Sequence, residues 1–234
     1  MNNLNTAVIS LGGSIIAPDK VDITFLKELN KNLREYLKAD RSRKLILVCG
    51  GGAPARVYQQ ALREIIADAP SAEQDWLGIR ATHLNAQLVK AMFSDLCTDN
   101  IITDPTAHIN FKGQVLVAAG WKPGFSTDND AVILAERFQG KIIINLSNIA
   151  KVYTDDPKKN PEAKPLDTIS WDEFKELVGS TWVPGKNTPF DPVASKRAAK
   201  LGMQVICADG RNIPNTMAIL NKKEFVGTVI GFQR

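Results

Sequence analysis

A chain of 234 residues with 44% hydrophobic content is long enough to bury a substantial core as one domain. Its net charge of +4 comes from interspersed acidic and basic residues, a mild balance that argues against a nucleic-acid partner and suits anionic small molecules. No apolar run reaches membrane-span length, and Met1–Asn5 lacks the features of a signal peptide. Cys49, Cys97 and Cys207, with His83 and His108, form neither a disulfide framework nor a zinc site. The expectation is a reduced, cytoplasmic protein with no metal site of its own and no membrane contact.

In chain order, Thr6 to Leu11 reads as a short apolar strand ending at Gly12-Gly13-Ser14, and Leu26, Leu29, Leu33 and Tyr36 recur at helical spacing. Leu45 to Cys49 is continuously apolar, as a strand covered on both faces is, and stops at Gly50-Gly51-Gly52. Tyr58, Leu62 and Ile65 mark one helix; Leu77, Ala81, Leu84 and Leu88 mark another that opens near Asp75. Beyond an ambiguous stretch at 100–114, Val115 to Ala119 is strand-like, Ala131 to Phe138 helical and Ile142 to Ile144 a buried strand. Val193 to Leu201 (helix), Gln204 to Cys207 (strand), Pro214 to Leu220 (helix) and Gly227 to Gly231 (strand) continue the alternation, whereas Tyr153 to Asp167 reads as an exposed irregular loop. No internal repeat is present. Strands alternating with helices predict an α/β fold with a mainly parallel central sheet, whose ligands gather at the carboxyl ends of the strands. All the glycine loops fall there.

The most informative stretch is Ala119 to Asp130, where a glycine-containing loop feeds hydroxyls and Asp/Asn residues into the start of a helix. The first N–H groups of a helix lack internal partners and carry the positive end of its dipole, so a phosphate gains several hydrogen bonds there. Thr127 and Asp130 have capping-box spacing. Gly12-Gly13-Ser14 allows close backbone approach and adds a hydroxyl. Gly50-Gly51-Gly52 costs more entropy than an ordinary turn requires, and Arg56 follows on the first turns of a helix, from which it could reach back over the loop. Neither glycine loop is a Walker motif or a dinucleotide fingerprint.

Leu11-Gly12-Gly13-Ser14, Gly50-Gly51-Gly52 with Ala55-Arg56 and Tyr58, Leu77-Gly78-Ile79-Arg80 with Asn85-Ala86, Pro123-Gly124 with Ser126-Thr127-Asp128, Asn148 with Val152-Tyr153-Thr154 and Asp156 to Lys159, and Asp191-Pro192 before Ala194 and Lys196 occur in that order. Together, over nearly the whole chain, they resemble the UMP kinases of the amino-acid kinase family, the archaeal-type branch in particular. The resemblance implies a three-layer αβα sandwich formed by one domain over 1–234, with an acceptor-binding lobe at about 1–139 and an ATP-binding lobe at about 140–234. It implies transfer of the ATP γ-phosphoryl to UMP with Mg²⁺, and a homo-oligomer, a hexamer built as a trimer of dimers.

Position by position, the resemblance implies Gly12, Gly13, Ser14, Gly52 and Arg56 along the ATP phosphate track, with Ser147, Asn148, Tyr153 and Asp156 completing the ATP side. Gly51, Asp75, Trp121, Lys122, Pro123, Gly124, Phe125, Ser126 and Thr127 fall on the UMP side. Arg56 and Ser14 are expected to act in catalysis. Ser10 stands where many relatives carry a phosphate-steadying lysine, a change shared by the archaeal-type branch. Another cation is then needed, and Lys122 is the expected one, ahead of Lys186 and Lys196. Two alternatives share the resemblance: another phosphotransferase of the family, such as an isopentenyl phosphate kinase, and a noncatalytic nucleotide- or oxoanion-binding storage protein. The first resembles a pattern with a histidine soon after the second glycine loop, and this chain has none there.

Overall fold

The structure, a computed structural model, describes residues 5–157, 159–179, 181 and 188–232. In chain order the first half holds β1 (Thr6–Leu11), α1 (Gly13–Ile16), α2 (Ile23–Ala39), β2 (Lys44–Cys49), α3 (Gly52–Ile65), α4 (Ser71–Met92), β3 (Val115–Ala118) and α5 (Thr127–Arg137). The second holds β4 (Ile142–Ser147), β5 (Val152–Tyr153), β6 (Pro165–Leu166), β7 (Thr168–Ile169), α6 (Trp171–Val178), α7 (Pro192–Lys200), β8 (Gln204–Asp209), α8 (Ile213–Leu220) and β9 (Thr228–Ile230).

Seven strands form one sheet in the order β3-β2-β1-β4-β8-β9-β7. From β3 to β8 all neighbours are parallel; β9 runs antiparallel to β8, and β7 is parallel to β9. Alternate side chains of each strand face opposite layers. Ile9, Leu11, Leu45 and Leu47 pack with Leu29 and Leu33 of α2, Val89 of α4 and Ile219 of α8. Val8, Ile46 and Val48 pack with Val132 of α5, Phe174 of α6 and Ala198 of α7. The three-layer sandwich is therefore built from strands that are apolar on both faces. β1 is flanked by β2 on one side and β4 on the other, so the chain reverses its winding direction between β1 and β4, and this switch point opens a crevice at their carboxyl ends.

Three details depart from the sequence expectations. α4 starts at Ser71, ahead of Asp75, and buries Asp75, Ile79, Thr82, Asn85, Ala86 and Val89, while Leu84 (68% exposed) and Leu88 face outward. On α3 Tyr58 and Ile65, two of the residues that mark the helix, are likewise exposed, because α3 lies beside α4 and buries Ala53 and Gln59. The stretch expected to be wholly irregular contains the antiparallel β5–β6 ribbon, anchored by the Val152 N–H donating to Thr228 Oγ1 at 2.8 Å. α6 is opened by a full Ser170–Glu173 capping box.

Candidate active site

Two glycine turns meet backbone to backbone at the ends of β1 and β2. A Cβ on Gly13 would fall 1.9 Å from the Gly52 nitrogen, and one on Gly50 would fall 2.5 Å from the Gly13 nitrogen. Gly52 also has φ +68°, a conformation that glycine adopts without strain. These glycines are thus required by the approach of the two loops to each other, whatever ligand they also meet. Gly12 lies against β4 through its N–H, which donates to Leu146 O at 2.8 Å.

Beside this junction is a cleft of about 250 Å³. α3 and the turn before it contribute Gly51, Gly52, Ala55, Arg56 and Gln59, and α4 contributes Asp75, Gly78, Ile79 and Thr82. The loop after β3 and the start of α5 bring Gly120, Trp121, Phe125, Ser126, Thr127 and Asp128, and Thr188 with Asp191 closes the wall. Arg56 is the one cation among the described lining residues, and its Nη2 reaches back to donate to Pro18 O at 3.0 Å.

The loop from Gly120 to Asp128 is tied into the protein by its own N–H groups. Gly120 donates to Thr82 Oγ1 (2.8 Å), Trp121 to Asp130 Oδ2 (3.2 Å), Gly124 to Asp75 Oδ2 (2.8 Å) and Ser126 to Asp191 Oδ2 (2.7 Å). The helix cap is Ser126, whose Oγ accepts the Asp128 N–H; Thr127 is the first helical residue, so the expected Thr127–Asp130 box is absent. Asp130 serves Trp121 in its place.

Asp128 lies at the centre of this arrangement. It accepts the Ser10 hydroxyl at 2.9 Å and the Asp191 N–H at 3.1 Å, while Asp191 also caps α7 through the Val193 and Ala194 amides. Burial, then the nearby Asp191 carboxylate, pushes Asp128 up to about 6. Burial pushes Asp130 up to about 8, against the pull of the Trp121 N–H, and its Oδ1 is buried with no hydrogen-bond partner. Three carboxyl side chains, those of Asp75, Asp128 and Asp191, line the cleft against the single guanidinium of Arg56.

Of the expected site residues, Gly51, Gly52, Arg56, Asp75, Trp121, Phe125, Ser126 and Thr127 line this cleft, with Pro123 and Gly124 in the same loop. Lys122 is exposed and outside the cleft lining, its ammonium 3.9 Å from the centre of the Trp121 ring, and Trp121 in turn packs against Phe125. Gly12, Gly13, Ser14, Ser147, Asn148, Tyr153 and Asp156 lie outside the cleft lining. The first four sit at the carboxyl ends of β1 and β4; Ser147 O accepts the Gly210 N–H and Ser14 O faces Arg211 Nη2 at 3.4 Å. Tyr153 and Asp156 belong to the β5–β6 ribbon and its connection. Lys196 is exposed on α7, and Lys158 and Lys186 lie outside the described residues. Gln59, Gly78, Ile79, Thr82, Thr188 and Asp191 were not singled out as lining residues; the i, i+4, i+7 spacing of Asp75, Ile79 and Thr82 was the readable signal for α4.

A ligand-sized cleft beside the switch point of a mainly parallel sheet, walled by glycines and threonines with one arginine, defines an α/β protein that binds small molecules. The sequence pattern of the Amino acid kinase family matches residues 5–209, and the chain belongs to that family. Uridylate kinase from Methanospirillum hungatei is 34% identical over 232 residues, covering 96% of this chain and 94% of that protein. Uridylate kinase from Pyrococcus abyssi is 33% identical over 201 residues, 84% and 87% of the two chains. The crystal structure of uridylate kinase from Archaeoglobus fulgidus matches with a TM-score of 0.77 at 30% identity, over 97% of this chain and 100% of that one.

Proposed function

We propose that this chain transfers the γ-phosphoryl group of ATP to UMP, giving UDP and ADP. The observation that carries the reading is the cleft between α3, α4 and the start of α5, together with full-length similarity to proteins named uridylate kinase. Phosphoryl transfer needs little covalent help from protein: two anions must be aligned and their repulsion neutralised. In this reading Asp75 meets the uridine moiety, the 120–127 loop surrounds the acceptor phosphate, and Arg56 and Lys122 supply positive charge. Gly12, Gly13, Ser14, Ser147, Asn148, Tyr153 and Asp156 form the ATP side in the lobe from about 140 onward and the first glycine turn.

Magnesium is part of the proposal as a companion of ATP. Among the described residues no group of three or more His, Cys, Asp or Glu could hold a metal ion, so no resident cage is assigned. Mg²⁺ ordinarily keeps several waters and binds through nucleotide phosphates, whose charge it offsets. The acidic balance of the cleft fits a donor that arrives with its own cation. A homo-oligomer is also proposed, a hexamer built from dimers; Val57, Tyr58, Ile65 and Leu84 leave an apolar exposed surface on the adjacent helices α3 and α4 that supports it. No described helix is long and apolar enough to cross a membrane.

The test is a coupled assay of ADP release with UMP, CMP, isopentenyl phosphate and small carboxylates as acceptors. UMP is expected to exceed the others by a wide margin, since a site that hydrogen-bonds a group rejects analogues lacking it. Equal rates with all acceptors, or none with UMP, reject the reading; light scattering after size-exclusion chromatography tests the hexamer.

A further inference from the structure

α4 does more than line the cleft: three of its side chains hold the two ends of the loop opposite. At one end Gly120 is gripped twice, its N–H donating to Thr82 Oγ1 (2.8 Å) and its carbonyl 2.8 Å from His83 Nε2. At the other end the Gly124 N–H donates to Asp75 Oδ2. A carbonyl only accepts, so His83 must carry its proton on Nε2. Thr82 is buried and its hydroxyl donates to Ile79 O at 2.6 Å, which leaves Oγ1 as an acceptor toward Gly120. Gly120 also sits hard against the helix: a Cβ there would come within 3.1 Å of Thr82 Oγ1 and 3.3 Å of Ile79 Cγ1.

Asp75 and Thr82 are seven residues apart, two turns and about 10 Å along the helix. The five residues from Gly120 to Gly124 span four Cα steps, about 13–14 Å if fully extended, and a turn at Pro123–Gly124 takes up the difference between the anchors. Trp121 and Phe125, which line the cleft, take their positions from this stretch.

We infer that His83 is a positioning residue for the acceptor: by holding the Gly120 carbonyl it fixes this end of the loop against α4 and so sets the cleft wall that Trp121 and Phe125 form. His83 itself does not line the cleft. The role rests on the reading of this cleft as the acceptor site, but the anchoring has its own observable. Hydrogen–deuterium exchange of a peptide covering 119–126, followed in the full-length wild type, His83→Ala and His83→Gln, reads the anchor directly. β2 amides report global stability in the same samples. In His83→Ala the loop exchanges about tenfold faster, as expected for loss of one hydrogen bond, while β2 is unchanged. The KM for UMP rises by a similar factor, and kcat and the KM for ATP stay within twofold. His83→Gln, which restores an N–H donor, recovers most of both effects. Unchanged loop exchange in His83→Ala, or equal rises in both KM values, overturns the assignment. If wild type fails to phosphorylate UMP while the loop still responds to His83→Ala, the UMP reading falls and the anchor stands.

Discussion

The hydroxyl of Ser10 donates to Oδ1 of Asp128 at 2.9 Å, near the end of β1, at the position where the resemblance described above implies a lysine in many relatives. A buried carboxylate that could have faced an ammonium therefore has a neutral partner, and burial with the neighbouring Asp191 lifts it to about 6. The Ser10 hydrogen bond acts in the opposite direction, favouring the charged form. Ser10→Ala is thus expected to move the Asp128 titration further upward, and Ser10→Lys to move it down. Carbon-detected NMR of the aspartate carboxyls checks both directions; a titration indifferent to Ser10 rejects the coupling.

Asp130 predicts a pH dependence of stability. Its folded-state pKa of about 8 lies above the ordinary carboxylate value of 3.8, so the folded chain holds a proton that the unfolded chain releases. The stability tied to that proton is fully present below about pH 4 and is lost as the pH rises toward 8, at up to about 1.4 kcal/mol per pH unit. Asp130→Asn keeps an oxygen for the Trp121 N–H and has no proton to lose. Urea unfolding at pH 5 and pH 8 should show the variant gaining on wild type at the higher pH. A stability difference that does not change with pH rejects the assignment of Asp130 as the titrating group.

Substitutions at Gly13 and Gly124 separate structural from local demands on glycine. A methyl group on Gly13 runs into the Gly52 backbone at 1.9 Å, and neither loop can move without unseating the other. Gly124 has φ +105° but nothing within 4 Å of its added Cβ. Gly13→Ala is expected to cost 4 kcal/mol or more and to yield little folded protein. Gly124→Ala is expected to cost about 1–2 kcal/mol of local strain and to raise the KM for UMP through the loop. Thermal unfolding with steady-state kinetics distinguishes them, and equal stability losses contradict this account.

How far this was readable from sequence follows from what each signal reports. The apolar runs ending at Leu11 and Cys49 located β1 and β2, because a parallel strand covered on both faces leaves an unbroken signature. Leucine periodicity located α4 but not its inner face: α4 has two apolar stripes, and spacing alone does not say which meets the sheet. The cap of α5 moved by one residue, from Thr127 to Ser126, because Asp130 is engaged by Trp121. That contact spans nine residues, and the ties of Gly120 to Thr82 and His83 join segments far apart in the chain; none of them leaves a local pattern. The glycine loops were visible, yet their meeting with each other was not.

Lys122 provides the sharpest test of the charge balance in the cleft. Its ammonium rests on the ring of Trp121, which lines the cleft, and an exposed cation–π contact of this kind contributes about 0.5–1 kcal/mol. A charged hydrogen bond to phosphate is worth roughly 1.5–3 kcal/mol, and the flexible four-carbon stem lets the ammonium leave the ring for it. Arg56 differs: its guanidinium is tethered to Pro18 O, so it marks a fixed edge of the cleft. Lys122→Ala is expected to lower kcat and kcat/KM together, by on the order of a hundredfold, as loss of a cation acting in the transition state does. Arg56→Lys keeps the charge but loses the planar fork, and is expected to lower kcat/KM with folding intact. Steady-state kinetics in both substrates, with thermal unfolding as control, decides between the roles. If Lys122→Ala retains full kcat and only a fraction of a kcal/mol is lost from stability, the ammonium belongs to the Trp121 ring alone; a collapse of kcat in Lys186→Ala would then move the missing cation to the segment around Gly185.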